Sequence, residues 1–280
     1  MKKYIIGIIL LCFALTACYD LNLSPLDASS DNNFWETESQ LRGATYVCYS
    51  IMQKDMLNFG EGCGESAMWG DPKNALNKIS SGVYPYTIQF PVSSWWNYFY
   101  QNIFYCNKFL ENYKKANISE SVKEKYAAEI KVIRALDYFY LTSLYGDVPL
   151  VTRVLSPEDP EMTAPRTPKQ EVIDYILNDL DQAAAKLGED IPTGENSGRV
   201  NKWTALGLKS RIALFNERWE IAYQAAESVM KSGKYELYNE GGHSEAYYNL
   251  FTVAANQTKG NINNKETMMA GIYKACVPQP

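Results

Sequence analysis

From Ser119 to Tyr145 apolar residues recur three and four apart, and the run breaks at Gly146. At that spacing Tyr126, Ile130, Ile133, Leu136, Tyr140 and Leu144 share one face of a helix, whereas a strand would scatter them to both of its faces. Glycine is the residue type that best adopts the left-handed turn ending a helix, and Pro149 blocks any resumption. A helix about seven turns long needs partners along its whole apolar face.

The same period returns along the chain. Thr37 and Gln40 form a capping box ahead of Leu41, Ala44, Val47, Cys48 and Ile51. A second helix is expected from Ser93 or Ser94, carrying Trp96, Phe99, Tyr100, Ile103, Phe104, Phe109 and Leu110 toward a core. Thr167 is expected to cap another, with Pro168 at its first position and Val172, Ile173, Ile176, Leu177, Leu180 and Leu187 inside. A final pair covers Asn201 to Phe215 and Trp219 to Lys231, ending at Gly233. Its small residues Ala205, Ala213, Ala222 and Ala226 would sit where two helices touch, with Trp219 and Tyr223 as larger wedges, so the pair resembles a tetratricopeptide unit. The fold class read from this pattern is all-α, made of irregular helical hairpins with tetratricopeptide-like units. Three longer segments, 55–92, 147–166 and 188–200, interrupt it. The first is rich in glycine and aromatics and poor in basic charge, which predicts an ordered loop.

The start of the chain obeys other rules. Lys2 and Lys3 precede an uncharged stretch from Tyr4 to Ala17, shorter than the roughly 20 residues a membrane-spanning helix needs. It reads as a signal peptide over residues 1–17. Leu15-Thr16-Ala17-Cys18 resembles the bacterial lipobox, which makes Cys18 the expected lipidation site and first mature residue. Each buried methylene contributes about 0.8 kcal/mol, so several acyl chains on one residue would hold the protein at a membrane. Residues 18–36, polar and without periodicity, are then a tether, and residues 37–280 the helical domain.

Composition excludes some functions. The formal charge is −5, and removal of Lys2 and Lys3 with the signal makes it more negative still, which argues against a nucleic-acid partner. Of six cysteines none are spaced CxxC, and the single histidine, His243, has no cysteine near it, so neither a metal site nor a cofactor is expected. Cys48 and Cys106 fall on apolar helix faces, which predicts buried thiols. Cys63 and Cys276 lie in loops, and the sequence leaves their pairing open. Catalytic machinery is missing from the pattern. Glu61, Glu65 and Asp71 are acids clustered in a loop, but nothing sets two of them across a cleft. No GxSxG accompanies His243, and "GEGCG" at 60–64 lacks the strand and helix of a phosphate-binding loop. Arg134 and Asp137 lie one helical step apart on an apolar helix and are expected to pair with each other or to cap nearby backbone.

Three stretches then carry a resemblance. "AAEIKVIRALDYFYLTSLYGDVPLVT" (127–152), "WNYFYQNIFYCN" (96–107) and "GRVNKWTALGLKSRIALFNERWEIAYQAAESVMKSGKYELY" (198–238) are similar to segments of the SusD/RagB family of outer-membrane nutrient-binding lipoproteins. The likeness runs through the mature chain in order, with the lipobox where the family has it. It implies a SusD-like helical fold without enzymatic activity, anchored by lipid at the outer membrane and facing outward. There it would serve as a lid on a SusC-like TonB-dependent transporter and capture a glycan, or a peptide, for import. Family members are usually longer, so the domain is expected to be incomplete at its C-terminus.

A glycan ligand gives the aromatic surplus, 13% of residues with 21 tyrosines, a purpose. Sugar rings stack their C–H faces on Trp or Tyr, while their hydroxyls need amide and carboxylate partners. Trp69, Tyr84, Tyr86 and Trp95, in or beside the long loop, are the candidate platform, and Asp71 and Asn74 the candidate rim. The alternative function is a helical scaffold at the cell surface that binds protein and has no small ligand of its own.

Overall fold

The computed structural model describes residues 34–52, 70–71, 73, 75–83, 92–250 and 264–269. Its helices are α1 (Glu38–Met52), α2 (Ala75–Ser80), α3 (Val92–Asn112), α4 (Glu120–Tyr145), α5 (Lys169–Ala184), α6 (Lys202–Phe215), α7 (Trp219–Lys231) and α8 (Gly242–Leu250). Among the described residues, the isolated extended pairing is one antiparallel bridge between Val148 and Thr167. Neighbours in sequence pack antiparallel. Trp96 at the start of α3 meets Tyr145 at the end of α4, while Tyr113, just after α3, bonds Glu124 near the start of α4. Lys131 and Arg134 of α4 reach Gln182 and Asp179 of α5 in the same reversed order. α1 lies across α3 and α4.

Local chemistry explains most boundaries. At α1 the Gln40 N–H donates to Thr37 Oγ1 (3.3 Å) and the Thr37 N–H to Gln40 Oε1 (2.9 Å), the reciprocal bonds expected of a capping box. Asn201 and Thr204 repeat the device at α6, at 2.9 and 3.3 Å. α4 stops at Gly146, whose φ of 71° and ψ of −122° suit glycine alone. Gly146→Ala is therefore expected to cost about 1–2 kcal/mol, read as a lower urea midpoint with unchanged slope; an unchanged midpoint would mean that the turn has relaxed. Thr167 corrects the expectation made for it. It does not cap α5, because it is held in the bridge to Val148 and its Oγ1 accepts from the Leu150 N–H (3.2 Å). The open N–H of Lys169 is satisfied from across the chain by Asp147 Oδ1, at 2.8 Å, where a negative group also suits the helix dipole.

Two apolar clusters share α4. The larger joins α3 to α6 through Phe99, Ile103, Leu136, Tyr138, Ile176 and Ile212. The smaller, under α1, contains Trp35, Leu41, Cys48, Cys106, Phe109 and Ile130. Two further expectations need correcting. Phe104 faces outward from α3, and Trp219 and Tyr223, expected as wedges, are 63% and 60% exposed. Among the described helices α7 packs on α6. It buries the narrow face of Ala222 and Ala225, with Ala225 taking the place expected for Ala226, and leaves its bulky face outside.

Arg134 and Asp137 do not pair, and each serves a different neighbour. Arg134 bonds Asp179 and Tyr175 of α5 and donates to Asn107 Oδ1 of α3 at 2.8 Å. The Asn107 amide then donates to the carbonyls of Val151 and Arg153 (3.0 and 3.1 Å). The Tyr138 hydroxyl donates to Val151 O and accepts from Val151 N–H, both at 2.8 Å. The turn after α4 is thus fastened by side chains of α3 and α4, which accounts for the polar residues of this otherwise apolar stretch. Asp137 also meets α3, where it accepts from the Asn102 amide at 2.9 Å.

Candidate functional site

The end of the bundle where α3 begins and α4 ends follows the long segment 55–92 in the chain. Asp71 is exposed, and its Oδ1 accepts the Lys73 N–H at 2.9 Å, a local turn that leaves the other carboxylate oxygen outward. Ile79 of α2 packs against the larger apolar cluster. The helix closes through Gly82 N–H to Ile79 O (3.1 Å) and Val83 N–H to Lys78 O (2.9 Å). Trp69, Asn74, Tyr84 and Tyr86 lie outside the described residues, as do Glu61, Glu65, Cys18, Cys63 and Cys276. Trp95 is placed, and it corrects the platform proposed from sequence. It is 5% exposed within the larger cluster, and a ring enclosed by core atoms has no free face for a sugar.

The neighbouring residue faces differently. Trp96 is half-buried at the rim, 4.9 Å from Tyr100 and edge-on to Tyr145 at 5.1 Å. The exposed Arg166 guanidinium stacks 5.4 Å from the Trp96 ring centre while donating to the carbonyls of Tyr145 and Asp147 (3.2 and 3.1 Å). Burial pushes the Tyr100 hydroxyl well above the usual phenol range, which keeps it a donor to Pro149 O at 2.8 Å. Beside these groups a pocket of about 140 Å³ opens, lined by Pro149, Val151, Arg153, Glu161, Pro165 and Thr167. Arg153 pairs with Asp159 and Glu161 at 2.9 Å each, so one cation is shared between two carboxylates there. Ligand-enclosing pockets measure roughly 300–1,000 Å³, so this one is too small to enclose a drug-sized ligand.

Sequence reasoning assigned Trp96 to the core with Tyr100 because the two are four residues apart. What it lacked was the partner: Arg166 is seventy residues from Trp96 in the chain, and no spacing rule joins them. His243 lies exposed on α8. Among the described residues no group of three or more His, Cys, Asp or Glu side chains could hold a metal ion.

Comparison with known proteins completes the site. The SusD-like family profile described as "Starch-binding associating with outer membrane" matches residues 26–214. A SusD-like protein of Bacteroides ovatus is 25% identical over 298 residues, covering 96% of this chain and 50% of its own. A solved SusD-like protein of Bacteroides fragilis superposes with a TM-score of 0.77 at 28% identity, over 91% of this chain and 48% of its own. Another B. fragilis structure, described as a SusD-like carbohydrate binding protein, gives 0.68 at 25% identity, over 84% and 46%. The chain spans about half the length of these relatives.

Proposed function

Because the chain belongs to the SusD-like family, whose members are starch-binding and associate with the outer membrane, we propose that it captures an oligosaccharide at the cell surface and passes it to a SusC-like TonB-dependent transporter. Lipid on Cys18 holds it at the membrane, and residues 18–36 give it reach. The observation that carries this reading is the family match across residues 26–214, which includes both the aromatic loop and the rim at Trp96. Trp69, Tyr84 and Tyr86 supply stacking faces, with Asp71, Asn74 and Arg166 bonding hydroxyls around them. The site binds and does not cleave.

The test is a panel of starch-type and other soluble glycans titrated against the protein with its lipid anchor removed. At least one glycan is expected to bind and to be recovered unshortened. Trp69→Ala and Tyr84→Ala should each weaken it by about 1–2 kcal/mol, roughly 5- to 30-fold in Kd, without moving the thermal midpoint. New reducing ends in the recovered glycan would overturn the binding-only reading. A second reading, the protein-binding scaffold, is favoured by the exposed Leu214, Phe215, Trp219 and Tyr223 on α6 and α7, since soluble surfaces seldom gather such residues without a partner. On that reading the whole glycan panel is blank.

A further inference from the structure

Among the described residues Arg42, Arg134, Arg153, Arg199 and Arg218 each pair with a carboxylate. Arg166 and Arg211 do not, and of these two Arg166 is held in place. Its Nη1 donates to the carbonyls of Tyr145 and Asp147 at 3.2 and 3.1 Å, and its guanidinium lies 5.4 Å from the centre of the Trp96 ring. The two carbonyl bonds close the end of α4 and occupy one nitrogen of the three. The edge formed by Nε and Nη2 has no partner among the described residues, and Arg166 is exposed. Carboxylates at this end of the bundle have donors of their own: Asp147 Oδ1 accepts from the Lys169 N–H at 2.8 Å, and Asp159 and Glu161 share Arg153.

We propose that this edge takes the carboxylate of an acidic sugar, so that the glycan captured here contains uronic acid. The inference rests on the glycan-capture reading above and narrows its ligand class. Nε and Nη2 present two parallel N–H groups, a fork that matches both oxygens of a planar carboxylate at once. A sugar hydroxyl engages one of them, and a tetrahedral sulfate ester matches the flat fork less well. Ordering a long side chain normally weakens binding, but Trp96 and the two carbonyls have already fixed this one in the fold. Capping the end of α4 requires Nη1 and no more; the ring beside the guanidinium and the open fork serve something else. The formal charge of the chain is −5, so the field of the whole protein does not draw an acidic glycan in. Selectivity for one has to come from a single placed cation, and Arg166 is the described arginine both placed and unpaired.

The test uses the full processed chain with its lipid anchor removed, titrated calorimetrically with short oligosaccharides of galacturonate, glucuronate and mannuronate. Each is compared with its own methyl ester, which keeps the ring and the linkage but removes the charge. At least one acid is expected to bind about 10-fold more tightly than its ester, the difference between a charge-assisted hydrogen bond and a neutral one. Arg166→Gln should bring that acid and its ester to within about twofold of each other. A purely structural Arg166 would instead weaken acid and ester alike and leave their ratio unchanged, which overturns the proposal. Should Arg166→Gln not fold, Arg166→Lys, which keeps a donor for the carbonyls without the fork, takes its place, with a smaller fall in the ratio expected and an unchanged ratio again decisive against it. Neutral and acidic glycans bound equally by the unmutated protein overturn this inference and leave glycan capture standing, whereas a panel in which no glycan binds removes both. Tighter binding of a sulfated oligosaccharide than of every carboxylated one, or of an acidic peptide than of every glycan, also overturns it.

Discussion

Arg134→Met should destabilise the protein by about 3–5 kcal/mol, because it strands Asp179 as a buried carboxylate. Both side chains of the pair are nearly inaccessible, and the other cation near Asp179, Lys131 Nζ, stands 3.7 Å away. The substitution also removes the donor to Asn107 and with it the link to the carbonyls of Val151 and Arg153. In a domain of this size the cost corresponds to a fall in midpoint of roughly 10–15 °C, measurable by thermal or urea unfolding. The double variant Arg134→Met/Asp179→Leu is expected to recover most of the loss, since an ion pair replaced by apolar side chains of similar volume leaves no charge behind. A double variant no better than the single one would place the energy in the Asn107 link instead.

Asp137 governs the largest pH effect. Burial, reinforced by the Cys48 thiol, raises its carboxyl well above the ordinary 3.8, and the Asn102 hydrogen bond only partly opposes this. The folded state therefore keeps a proton that the unfolded chain gives up near pH 3.8. Its contribution is fully present below that point and is lost as pH rises toward the folded value, at about 1.4 kcal/mol per pH unit. Asp137→Asn keeps the shape and the oxygen facing Asn102 but cannot titrate. Its stability relative to the unmutated protein should rise between pH 5 and pH 7, by roughly 2–3 kcal/mol if the whole interval lies inside the window. Urea midpoints of the two proteins that run parallel across that interval would show that Asp137 is ionised in the fold.

The candidate site was legible only in part. Of the aromatics named from the long loop, Trp69, Tyr84 and Tyr86 lie outside the described residues, and Trp95 is buried in the core. The choice between Trp95 and Trp96 was beyond reach. The two are adjacent in sequence and a helix turns about 100° between them, so one faces the core and the other the rim according to where α4 lies. Arg134 and Asp137 repeat the lesson. Three residues apart, they seemed made for each other, yet Arg134 pairs with Asp179 of α5 and Asp137 bonds Asn102 of α3.

What the amino-acid sequence determined alone was whatever depends on neighbours a few residues away: the helical period, the capping box at Thr37 and the stop at Gly146. These follow from backbone geometry and transfer free energy, which act over one or two turns. The tertiary structure decided which polar groups meet, through Asp147 capping α5 and Thr167 drawn into a bridge instead. It also set which aromatics reach solvent. Each of those outcomes is a contact between helices distant in the chain, and a helix's own pattern says which face is buried without saying what it is buried against.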